Sequence, residues 1–143
     1  MNDQMKSIMI PLPPASNPSQ ASGNWRAKSN AIKEYRGVVA AIASQLPKRI
    51  GGKVRIHHEW FLGKNAAEVA FGKKCPKTYK AYRPRDEQNA IYALKPAIDG
   101  LVDAGVLVDD DRKHVTWGEY TWHSTQKEHQ GKSHIVLRLE VIE

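Results

Sequence analysis

The sequence predicts a small α/β or α+β domain: a mixed β-sheet with two helices packed on it, in the order β-α-β-α-β-β. Three observations carry that expectation. Two stretches repeat apolar residues every three or four positions, as one buried helical face requires, and four β-prone stretches are bounded by turn formers. With 143 residues, the chain is long enough for one core and too short for two independent ones, so residues 1–143 are expected to form a single domain.

The first strand is expected in "KSIMIPLPP", where prolines end a short β-prone run before the turn-rich "ASNPSQASGN". From Trp25 to Leu46, Ile32, Tyr35, Val38, Val39, Ile42 and Leu46 mark the buried face of the first helix, and Pro47 its end. "KVRIHHEWFL" alternates, with Val54, Ile56, His58 and Trp60 on one side, and reads as the second strand. Residues 63 to 85 have no sustained period and form a basic loop studded with Tyr79 and Tyr82.

A second helix is expected from about Gln88 to Ala104, with Ile91, Leu94, Ile98, Leu101 and Val102 as its stripe and Gly105 as its terminator. Pro96 lies inside it, and a proline there removes a backbone bond and clashes with the preceding turn. A kink or fresh start near Lys95 follows. "VLVDDD" is then a short strand or an extended exit into an acidic turn, and "KHVTWGEYTW" and "SHIVLRLEVI" supply the last two strands.

Charge is unevenly distributed. The net formal charge is +7, from 22 Lys+Arg against 15 Asp+Glu, yet seven of the acids fall between Tyr82 and Val115. A basic surface steers toward polyanions and releases their counterions on binding, which does not by itself separate DNA, RNA and anionic membrane. The single cysteine, Cys75, excludes an intrachain disulfide and fits a reducing cytosol. "SIMIPL" is too short to span a bilayer, so a cytoplasmic protein without a membrane partner is expected.

The acids flank the second helix: Asp86 and Glu87 before it, Asp109, Asp110 and Asp111 after it. Should the chain fold back, carboxylates gathered in one cleft repel, and a hard divalent cation such as Mg²⁺ or Mn²⁺ relieves them. A phosphodiester substrate matches both the cation and the surrounding positive charge. Lys95, seven residues from Gln88 and four from Asp99, would place an ammonium near those acids, where it could stabilise charge on a reacting phosphate. A simpler reading stands beside each point. Asp86 suits a helix N-cap, Glu87 a first turn, Asp109 to Asp111 a solvated turn, and Lys95 an ordinary i,i+4 pair with Asp99.

"RDEQN", "LKPAIDGLVDAG" and "VDDD" resemble the Arg-Asp-x-Asp-Asn, Lys-(Pro)-x-x-Asp-x-Leu and Gly-to-Asp-Asp elements of the RusA-type Holliday-junction resolvases of bacteria and phages. "PLPPASN", "NWR" and "EYR" resemble that family's Pro-Pro-Ser-x-Asn, Trp-Arg and Tyr-Arg elements, so the resemblance spans most of the chain. It implies a Mg²⁺-dependent homodimeric endonuclease, with Mn²⁺ as substitute, that makes paired nicks in four-way DNA junctions during recombination and repair. By position it assigns Asp86, Lys95 and Asp110 to catalysis and Asp86, Asp109 and Asp110 to the metal.

The chain departs from the pattern at Gln88, a neutral amide where the family has its second aspartate. Glu87, Gln88 itself or Asp99 are the candidate compensating ligands, and a binder of branched DNA with weakened or lost catalysis is the alternative. Three extra residues before Lys95 rotate a helix by about 300°, nearly a full turn, which returns the lysine to a similar face. DNA-backbone contacts are expected from Arg26, Lys73, Lys74, Lys77, Lys80, Arg83 and Arg85, with Tyr79 or Tyr82 stacking on an unpaired base. The alternative for the lysines is a solvated loop. His57 and His58 should point to opposite faces of their strand, and His114, His123, His129 and His134 show no ligand spacing.

Overall fold

The computed structural model describes residues 5–14, 25–62, 86–124 and 133–143, with the side chains of residues 25–28, 62 and 124 outside that description. Four strands, β1 (Met5–Pro11), β2 (Val54–Leu62), β3 (Val115–Ser124) and β4 (His134–Val141), form one mixed sheet in the order β1-β4-β2-β3. β4 pairs antiparallel with both β1 and β2, whereas β2 and β3 run parallel. Parallel neighbours need a crossover, and the chain between them carries two of the helices seen among the described residues. The four expected strands and the mixed α+β class are present.

Alternation sets the sheet's two faces. Val54, Ile56, His58 and Trp60 of β2 are all buried on one face, with Ile135, Leu137 and Leu139 of β4 and Ile8 and Ile10 of β1. They pack with Tyr35, Val39 and Ala43 of α1 (Trp25–Ala43) in a single core. The other face carries paired polar side chains: His57 Nε2 lies 2.9 Å from Glu140 Oε1, and His123 Nε2 lies 2.6 Å from Glu59 Oε2. His57 and His58 therefore do lie on opposite faces.

Helix α1 ends at Ala43, three residues before the expected boundary, and its chain continues through a turn closed by Leu46 N–H to Ala43 O at 2.9 Å. Val38, expected on the buried face, is 46% exposed. Tyr35, Val39 and Ala43 follow a strict four-residue spacing, and one position earlier the helix has already turned about 100° from that line. The Tyr35 hydroxyl donates to Pro11 O at 2.6 Å and ties α1 to the end of β1.

The second expected helix is two, so the described residues form three helices in the order β-α-β-α-α-β-β. α2 (Glu87–Ala93) and α3 (Lys95–Asp103) are separated at Leu94, and Pro96 occupies the first turn of α3, where its missing N–H costs nothing. Leu94 is fully buried and joins them. At the far end of α3, Gly105 adopts φ +80°, with Gly105 N–H bonded to Val102 O at 2.9 Å and Val106 N–H to Leu101 O at 3.0 Å. This 6→1 and 5→2 pair is the Schellman ending.

"VLVDDD" forms no strand. Val106 and Leu107 are buried, and Val106 O accepts from Ile50 N–H at 3.1 Å, but the segment turns at the aspartates. Competing side-chain bonds from Asp to nearby backbone favour the turn.

Gly100 fixes how closely α1 and α3 approach. A β-carbon at that position would lie 2.8 Å from Arg36 O and 3.0 Å from Val39 Cβ. The absent side chain lets the α1 backbone rest directly on α3. Among the described residues, no helix is long and apolar enough to cross a membrane.

Candidate functional site

The acidic turn sits where the sheet begins at its β3 edge. Val54 N–H, at the start of β2, donates to His114 O at 2.8 Å, so residues 109–114 lead directly into β3 beside the first residue of β2. α3 rises about 13 Å along its nine residues, and the chain reverses after Gly105 to come back beside the helix start. This reversal carries Asp110 to the first turn of α3.

There, the Lys95 ammonium makes a short ion pair with Asp110 Oδ2 and a second contact with Asp99 Oδ1 at 3.3 Å. Both the expected i,i+4 pair and the longer-range contact to the acidic turn are formed. The hydrogen bond to Asp110 is the main cause that raises the Lys95 pKa, with Asp99 adding to it. The same bond holds the Asp110 carboxyl below its usual range, assisted by Asp109. Lys95 is therefore charged, and so is Asp110, throughout the neutral range. Solvent exposure of the pair limits its contribution to stability.

The remaining acids of the turn are organised around Asp111. Its Oδ1 accepts Lys113 N–H and His114 N–H, each at 3.1 Å, and lies 2.5 Å from His114 Nδ1. The His114 bond is the largest cause that lowers the Asp111 pKa. Asp109 Oδ1 accepts Asp110 N–H at 2.7 Å. One donor atom each from Asp109, Asp111 and His114 lies within 4.8 Å of the other two, and this cluster could hold a metal ion. Two carboxylates and an imidazole suit a divalent cation that accepts nitrogen as well as oxygen; Mn²⁺ fits that donor set better than Mg²⁺, which prefers oxygen throughout.

The distribution of the expected site residues is specific. Asp109 and Asp110 are in the turn, but only Asp109 belongs to the metal-capable cluster, while Asp110 is turned to Lys95. Asp86 caps α2: its Oδ1 accepts Asn89 N–H at 2.8 Å, and its Oδ2 accepts the Asn89 side-chain amide at 3.0 Å. Both carboxylate oxygens of Asp86 are thus bonded within its own helix cap, which corresponds to the N-cap alternative. Glu87 and Gln88 are exposed in the first turn of α2, and the break at Leu94 puts Gln88 and Lys95 on different helices. Asp99 faces Lys95 and Arg36.

No protein-family model matches the chain, and no curated protein matches its sequence.

Asp111 was expected among the acids after the helix without a ligand role of its own, and no ligand spacing was expected at His114; the structure corrects both by bringing their donor atoms together with that of Asp109. The available signal is the spacing Asp111-x-x-His114 in a turn, which places an imidazole over the carboxylate that caps the same turn. Arg36 and Asp103 were missed because they lie on different helices, with the guanidinium Nε 2.5 Å from Asp103 Oδ2 and Nη2 2.8 Å from Oδ1. The basic loop with Lys73, Lys74, Lys77, Lys80, Arg83 and Arg85, together with Tyr79, Tyr82, Cys75 and His129, lies outside the described residues. Arg26 is in α1, but its side chain is outside the description.

Proposed function

We propose that the chain is a divalent-metal-dependent endonuclease that nicks branched DNA, four-way junctions above all, in recombination and repair. The observation that carries this reading is the contact of Lys95, at the start of α3, with Asp110, in the turn that also contains the Asp109, Asp111 and His114 donors. An ammonium beside a cation-capable carboxylate cluster suits phosphodiester hydrolysis, where negative charge builds on the phosphoryl oxygens and the leaving oxygen. The +7 charge of the chain supplies attraction for the DNA backbone.

In this reading, Asp109, Asp111 and His114 would hold the cation, Mg²⁺ or Mn²⁺, with Asp86 or Asp110 as a further oxygen donor. Such a group would supply Lewis acidity at the phosphodiester and a water of lowered pKa. Lys95 keeps its proton through the pH range of the reaction and directs it at the departing oxygen or a non-bridging phosphoryl oxygen. Asp110 orients that ammonium. Arg26 and the basic residues from Lys73 to Arg85 hold the strands, and two copies of the chain make the paired nicks.

A second reading is a junction-binding protein with little or no cleavage. It is favoured by Gln88, which offers an amide at an exposed position of α2, and by the engagement of Asp86 with its own helix cap. Cleavage of a labelled four-way junction by the protein, Asp110→Asn and Gln88→Asp separates the two. Nicks lost in Asp110→Asn support the endonuclease. Binding without nicks, with cleavage gained only in Gln88→Asp, supports the binder. Equal treatment of junction and linear duplex removes both.

A further inference from the structure

Lys95, Asp99 and Asp103 stand four residues apart along α3 and so form one stripe of the helix. Arg36 of α1 faces that stripe because Gly100 allows the helices to approach closely. Its Nε and Nη2 form a two-point contact with Asp103, and Nη1 is left directed at Asp99 Oδ2, 3.9 Å away. The other oxygen of Asp99 is the one that contacts Lys95 at 3.3 Å. A chain of alternating charge thus runs Asp103, Arg36, Asp99, Lys95, Asp110.

We propose that Arg36 is a positioning residue for Lys95. Asp99 is the helix neighbour that would otherwise draw the ammonium along α3, away from the acidic turn. By compensating Asp99 from the α1 side, the guanidinium leaves Lys95 bonded to Asp110. Asp103 holds the guanidinium fork in place, since two parallel N–H bonds fix its plane. Charges on exposed side chains are screened by solvent, but these groups are within 4 Å of one another, inside the Debye length. The role of this device in catalysis rests on the endonuclease reading; the contact geometry does not.

The test is the NMR scalar coupling across the hydrogen bond from the Lys95 ammonium nitrogen to each carboxylate carbon, read in folded, metal-free, DNA-free protein. In the unaltered protein a coupling to Asp110 and a weaker one to Asp99, the longer of the two bonds, are expected. Arg36→Gln should lose the coupling to Asp110 and strengthen that to Asp99, and Arg36→Lys should restore the original balance. Asp103→Asn breaks the same α1–α3 ion pair yet frees the guanidinium to turn wholly to Asp99, so the Asp110 coupling should persist. A structural role alone predicts that Arg36→Gln and Asp103→Asn act alike. Retention of the Asp110 coupling in Arg36→Gln, or its loss in both variants, overturns the proposal. Because neither metal nor DNA is present, that outcome is independent of whether the protein cleaves junctions.

Discussion

Replacing Gly100 with alanine tests how the helix layer is built and how it supports the site. The new methyl would sit 2.8 Å from Arg36 O, 3.0 Å from Val39 Cβ and 3.1 Å from Val39 Cγ1. The first of these is backbone and cannot rotate aside, so α1 and α3 must separate. Overpacking of this kind costs about 1–3 kcal/mol. Against it stands the helix preference of alanine over glycine, about 0.5–1 kcal/mol. The net expectation is a loss of roughly 1–2 kcal/mol, which for a domain of this size lowers Tm by about 3–8 °C. Thermal unfolding followed by circular dichroism at fixed protein concentration reads it. The separation should also withdraw Arg36 from Asp99 and Asp103, so the hydrogen-bond coupling from Lys95 to Asp110 should weaken in the same variant. An unchanged or raised Tm would mean that α1 does not rest on α3 at Gly100 and would refute the close approach.

Asp86→Ala should cost about 1 kcal/mol through the lost α2 cap, while Asp86→Asn should keep most of that stability. Urea unfolding measures both, and an equal loss in the two variants would show that charge, not capping, is what the position contributes. His58 is buried, its Nδ1 accepts Trp60 Nε1–H at 2.9 Å, and burial lowers its pKa from 6.5 to about 4. The folded state therefore prefers the neutral ring. Its contribution is complete above pH 6.5 and is lost as pH falls from there through about 4, on the order of 2 kcal/mol. Stability measured across that window should flatten in His58→Phe, and an identical slope in the variant would show that another group titrates. Mn²⁺ binding, followed by water-proton relaxation, should weaken by about tenfold or more in His114→Ala, in line with removal of one donor from a three-donor cluster. Unchanged affinity would place the ion elsewhere.

Local signals carried most of the element assignment. The alternation of Val54, Ile56, His58 and Trp60 identified β2 and its buried face, and Pro96 and Gly105 marked a helix start and a helix end that the structure reproduces. What depends on distant parts of the chain was not legible. Nothing in β3 announces that it runs parallel beside β2, since the pairing depends on the crossover and not on either strand's own residues. "VLVDDD" has the apolar content of a strand, but Val106 and Leu107 bury themselves by closing α3, and the aspartates bond to their local backbone.

At the site, the contribution of Lys95 was readable because Asp99 is its helical neighbour, whereas the pairing with Asp110 needs the reversal at Gly105. Asp111 and His114 were obscured for a different reason. A carboxylate in a polar turn and an imidazole before a strand each have a sufficient local explanation, and only the folded turn brings the donors of Asp109, Asp111 and His114 together. Asp86 shows the converse, an acid whose capping role and whose expected metal role draw on the same two oxygens.

The most direct measurement is single-turnover cleavage of a labelled four-way junction and a linear duplex of matched sequence, with Mg²⁺, with Mn²⁺ and with chelator. Metal-dependent, symmetrically placed nicks are expected in the junction and none in the duplex. Junction left intact with either metal, or cut at the same rate as duplex, would contradict it.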